Sequence, residues 1–183
     1  LAPSVVGIYM LRAEIVQLLI AKPFQQVTLA ILPLSVLAGA IRNFRAHFGD
    51  QVFLLHSRTR LLTVVAGIDA VTTVIASIAC IWFWGTVGGA IAAVLSAALA
   101  ASASFAIGFL SFGLTLPLGH LLRIIPATAL MGLLLSTLPP AASYLILFAH
   151  ILAGAGIYAL VLAALYVPAL FKVLRLRAQQ SGA

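Results

Sequence analysis

LLTVVAGIDAVTTVIASIACIWFWGTVGGAIAAVLSAALAASASFAIGFLSFG, residues 61–113, carries one charged side chain, Asp69. Crossing ~30 Å of hydrocarbon takes roughly 20 helical residues, so this stretch is long enough to cross twice. The turn signal FWGT at 83–86 divides it into helices over about 61–84 and 86–113. It lacks the period-two alternation of barrel strands and is rich in Leu and Ala, which leaves helices as the spanning form that satisfies the backbone in lipid.

The same composition holds outward from this stretch. Hydrophobic residues make up 64% of the 183 residues and charged residues 7%, with a mean hydropathy of +1.23. A water-soluble domain needs far more charge on its surface. Apolar runs of crossing length recur at about 1–20, 24–56, 61–84, 86–113, 118–138 and 141–171. The sequence therefore predicts an all-α, polytopic membrane protein of about six transmembrane helices forming one helical domain, 1–183. Pro33 and Pro126 are expected to kink their helices and Pro168 to end the last one.

The net charge of +7 reports topology rather than a nucleic-acid partner. Arg58, Arg60, Arg123, Lys172, Arg175 and Arg177 fall on one side of the predicted helices, and Lys22 alone on the other. By the positive-inside rule both termini are then cytoplasmic. Trp82, Trp84 and Tyr144 sit at the opposite ends, where amphipathic rings favour the interface. Cys80 has no second cysteine to pair with and reads as a small core residue. No metal or cofactor motif and no catalytic motif stands out, so no enzyme is expected. The chain opens on Leu rather than Met, and we expect it to be part of a longer protein that also has an amino-terminal lobe.

Against this apolar background the polar residues are few. GAIRNFRAHFGDQVFLLHSRTR, residues 39–60, places Arg42, Arg45, His47 and Asp50 near the cytoplasmic end of the second helix. At 100° per residue Arg42 and Arg45 share one face, and Asp50 falls with Asn43, His47 and Gln51 on another. Arg42 and Arg45 either snorkel to headgroups or line a water-filled cavity, where cations at depth need a compensating anion. Counting outward from the turn near residue 58, Arg45 and Asp69 lie within ~3 Å of the same level. An Arg45–Asp69 pair is expected, with Arg42 as surplus charge; the alternative for Asp69 is proton or cation coupling. Arg12 and Glu14, two apart on the first helix, point about 160° from one another and need separate partners. Arg12 is a third cavity-lining candidate, and Lys22 or water is the expected partner of Glu14. His120 and His150 read as interfacial or packing residues. Gly85, Gly89, Ala93, Ala97 and Ala101 recur every fourth position, a small-residue face suited to close helix packing in lipid.

LAPSVVGIYMLRAEIVQLLIAKPF, followed by the segment QVFL and the basic turn HSRTR, and then by GTVGGAIAA, resembles over about residues 1–100 the carboxy-terminal half of bacterial polysaccharide-biosynthesis flippases. These belong to the multidrug/oligosaccharidyl-lipid/polysaccharide exporter superfamily. The resemblance implies one lobe of a two-lobe transporter in the bacterial inner membrane, moving a polyprenyl-pyrophosphate-linked glycan between leaflets. Arginines in its cavity would suit the pyrophosphate, because guanidinium binds phosphate at two points without losing charge. A multidrug exporter of the same superfamily is one alternative, although acids would suit its cationic substrates. A non-transporting scaffold or assembly subunit contacting only membrane lipid and neighbouring helices is the other.

Overall fold

The structure, a computed structural model, describes the backbone of residues 2–114 and 118–180; the side chains of His120, Arg123, Lys172, Arg175 and Arg177 lie outside the described residues. Every regular element among the described residues is helical. The α-helices are α1 (Ala2–Met10), α2 (Arg12–Leu19), α3 (Gln25–Phe44), α4 (Asp50–Leu55), α5 (Thr59–Phe112), α6 (Leu118–Thr137) and α7 (Tyr144–Gln180). A short 3-10 turn, Lys22–Phe24, leads into α3, and one turn of π-helix, Arg45–Gly49, joins α3 to α4. Three helical runs are long and apolar enough to cross a membrane: Lys22–Leu55, Thr59–Phe112 and Tyr144–Tyr166. The bent pair α1/α2 makes a fourth if counted as one, and Ile124–Thr137 is apolar but shorter. Such lengths and apolarity suit a membrane protein.

Contacts gather the chain into two units, Pro3–Leu116 and Pro117–Ala183.

In the first unit α5 is broken at Gly85, whose φ of 58° and ψ of −138° are open to glycine and strained for other residues. The chain doubles back there. Val65 and Ala100 share one buried cluster with Phe53, and a Cβ added at Gly88 would run into the backbone carbonyl of Cys80. Residues 35 positions apart on a straight helix would lie roughly 50 Å apart, so the two limbs, 59–84 and 86–112, pack side by side. Trp82 at the hairpin tip is 85% exposed.

The second limb buries a row of small residues every fourth position: Gly88, Ala92, Ser96, Ala100, Ser104 and Gly108. This row is offset from the expected one. Gly85 is exposed, Gly89 and Ala93 are half-buried, and Ala97 and Ala101 are buried beside the row. The limb is so uniformly small that two parallel rows exist in it, and the position of the facing limb decides which is buried. Phe44 meets Phe105 at a tilt, 5.5 Å between centroids, and Phe53 meets Phe112 edge-to-face at 5.9 Å, holding α3 and α4 against the second limb.

Other boundaries also differ from those expected. The first helix does not run unbroken over 1–20; it bends by 64° between α1 and α2, with Leu11 at φ −90° and ψ 10°. The break comes where the apolar run gives way to the polar turn RAEIVQ. Pro33 and Pro126 stand inside α3 and α6, as expected, without ending them. Against expectation, α7 extends past Pro168 to Gln180; one missing N–H is outweighed by the Leu, Ala, Arg and Gln that follow, all strong helix formers.

In the second unit α6 and α7 pack through small and branched residues, with Gly154 set against the Leu135 side chain. Ala127, Met131, Leu135 and Leu147 are buried there. His150 is also buried, at 7% exposure, and its Nδ1 has no hydrogen-bond partner among the described residues.

Candidate functional site

Four charged residues of the first unit, Arg42, Arg45, Asp50 and Asp69, converge on one network. Arg42 Nε and Nη2 donate to the two carboxylate oxygens of Asp69, each at 3.2 Å, and Nη2 also donates to Ser96 Oγ at 3.1 Å. Arg45 Nη1 donates to Asp69 Oδ2 at 3.1 Å and Nε to Asp50 Oδ2 at 3.3 Å. Ser104 Oγ donates to Asp50 Oδ1 at 2.6 Å. Two guanidiniums and two carboxylates thus form a formally neutral cluster, linking α3, α4 and both limbs of α5.

Arg42 is therefore not surplus charge. Asp69 accepts from both arginines, and the fourth member is Asp50. On an uninterrupted α-helix residues five apart lie about 140° from one another, so Arg45 and Asp50 would face different ways. The π turn changes this. Asp50 N–H bonds to the Arg45 carbonyl, five residues back, which places the two side chains one above the other. Gly49 makes room for the turn, because a Cβ there would lie 2.6 Å from Ser104 Oγ. Ser96 and Ser104 belong to the same buried row as Ala92 and Ala100, and each puts a hydroxyl where an alanine would leave the charged network one partner short. The sequence signal for them was a serine at every eighth position of a small-residue row.

The network is unevenly covered. The side chains of Arg45, Asp50 and Asp69 are 13–15% exposed, whereas that of Arg42 is 37% exposed. His47 is exposed and takes no part.

The remaining candidates lie apart from it. Arg12 sets its guanidinium over the Tyr9 ring, 4.3 Å from the centroid, an arrangement in which the ring face attracts the cation. Glu14 has one carboxylate oxygen buried with no hydrogen-bond partner among the described residues, and its expected partner Lys22 is exposed. Arg12 and Glu14 do not join the Asp69 network. Gly85 is the break itself, Gly89, Ala93 and Ala97 lie on the second limb, and the Ala93 carbonyl accepts from Ser96 Oγ at 3.2 Å.

A cavity of about 290 Å³ opens between α1 and α3, lined by residues such as Val5, Tyr9, Arg12, Pro33 and Val36. No family model, curated protein or solved structure matches the chain.

Proposed function

We propose that this chain is one lobe of a membrane transporter that moves a lipid-linked oligosaccharide across the bacterial inner membrane, with Arg42 as the residue that meets the anionic pyrophosphate. In this proposal α1/α2, α3/α4, the two limbs of α5, α6 and α7 make six crossings. Both termini are cytoplasmic, and an amino-terminal lobe supplies the other half of the cavity.

The uneven cover of the network carries this reading. Asp69 lies ten residues into α5, about 15 Å from its start at 1.5 Å per residue, near the middle of a ~30 Å core. Ionisable groups at such depth are costly and are kept where they pair or serve a ligand. Arg45 and Asp50 are mostly covered, at 13% and 15% exposure, and hold the helices together. Arg42 keeps an accessible face, and its Nε and Nη2 already grip two oxygens of one carboxylate. A phosphate also presents two oxygens that a guanidinium fork can bind at once, so it can take Asp69's place on the same two nitrogens. Asp69 then remains paired with Arg45.

The neutrality of the network favours a second reading, a scaffold in which these charges serve packing alone. An export assay separates the two. When the complete gene product complements loss of a surface polysaccharide, Arg42→Ala is expected to abolish export with membrane protein levels retained, and Arg42→Lys to restore part of it. The ammonium keeps the charge but lacks the planar two-point grip. Full export by Arg42→Ala would leave the scaffold reading standing.

A further inference from the structure

The cavity between α1 and α3 is separate from the Asp69 network, and its lining is of one kind. Apart from Tyr9 and Arg12, every residue lining it is an aliphatic residue, a proline or a methionine. Tyr9, Met10 and Leu37 on its rim are 41–48% exposed, so the cavity opens onto the surrounding medium. Arg12 supplies the single charge. Among the described residues no carboxylate lies within ion-pair distance of it, and its guanidinium rests on the Tyr9 ring.

A cation beside an apolar recess in a membrane calls for an amphiphile with a negative head. We propose that this cavity is a binding site for an anionic phospholipid, with part of one acyl chain between α1 and α3 and the phosphate on Arg12. Size and chemistry choose this occupant over a lipid-linked glycan. At about 290 Å³ the recess lies at the small end of ligand cavities, enough for a stretch of one chain. It offers almost no hydrogen-bonding groups to sugar hydroxyls. A lone guanidinium matches one phosphate, whereas a pyrophosphate carries more charge than it can neutralise. The 64° bend at Leu11 comes immediately before Arg12, which lines the recess together with the α1 residues on the other side of the bend. This inference does not depend on the transport reading; it requires the bent α1/α2 pair, as a broken span or re-entrant loop, to bring Arg12 to headgroup depth rather than to the middle of a straight crossing.

The test uses the complete protein in nanodiscs of equal phosphatidylglycerol and phosphatidylethanolamine, with retained lipid counted by native mass spectrometry. A photoreactive phosphatidylglycerol then locates the chain. The wild type is expected to retain phosphatidylglycerol preferentially and to crosslink at the Val5–Met10 and Leu32–Leu37 segments. Arg12→Gln is expected to lower the retained ratio about fivefold, the worth of one basic residue towards an anionic lipid, while Arg12→Lys keeps most of it. An unchanged ratio in Arg12→Gln overturns the proposal, as do crosslinks confined to other segments. So does displacement of the photoreactive lipid by polyprenyl pyrophosphate, which would make the cavity part of the carrier's path. Absence of crosslinking by lipid of either head group would mean that a protein segment covers it, and also contradicts the proposal.

Discussion

Asp69→Ala is expected to strip most of the folded protein from the membrane. Asp69 accepts from Arg42 and Arg45 together, so the substitution leaves two guanidiniums with Asp50 as their only carboxylate. Removing one partner of a buried pair costs about 3–5 kcal/mol, because the remaining charge stays desolvated. That is a large part of the whole stability of a typical domain. Arg42 recovers some hydration through its accessible face, whereas Arg45, at 13% exposure, recovers far less. Asp69→Asn keeps the shape and one carbonyl acceptor, so an intermediate loss is expected. Combining Asp69→Asn with Arg42→Gln should recover folded protein, since one arginine and one aspartate then remain. Fluorescence-detected size exclusion of detergent extracts measures this, and equal recovery of Asp69→Ala and wild type would show that the cluster does not hold the helices.

The second large effect separates two adjacent glycines. Gly88→Ala should destabilise the hairpin by about 3 kcal/mol, at the upper end of overpacking costs, because the added methyl meets the Cys80 backbone carbonyl. A backbone atom within a helix cannot swing aside, so the limbs must part. At Gly89 the added Cβ finds only the tip of the Ile81 side chain at 3.9 Å, an ordinary contact. Gly89→Ala should therefore be neutral or mildly stabilising, since alanine gains about 1 kcal/mol over glycine within a helix. Thermal stability of the two variants in detergent is the comparison, and an equal response would place neither glycine against the facing limb.

That pair also shows where sequence reasoning stops. The helix-turn-helix of residues 61–113 was legible because FWGT interrupts an apolar run of twice the crossing length, and Gly85 is where the chain turns. The level of Asp69 against the arginines was legible by counting back from the turn near residue 58. The register of the small row was not, because GGAIAAVLSAALAASAS contains two rows one position apart and composition cannot choose between them. Nor was Asp50's place. A wheel drawn at 100° per residue assumes an unbroken α-helix, and one π turn rotates everything after Gly49. The bend at Leu11 has no proline or glycine beside it to announce it. Ser96 and Ser104 read as small residues, and only their neighbours Arg42 and Asp50 make them polar partners.

Transport itself is tested most directly in vesicles. The complete gene product, purified and reconstituted with an undecaprenyl-pyrophosphate-linked oligosaccharide on the inner leaflet, is assayed by the rate at which the glycan becomes accessible to a lectin outside. The expected result is transfer faster than in protein-free vesicles, slowed about tenfold or more by Arg42→Ala, the loss of a charged two-point contact, and partly restored by Arg42→Lys. Transfer at the protein-free rate would contradict the flippase reading.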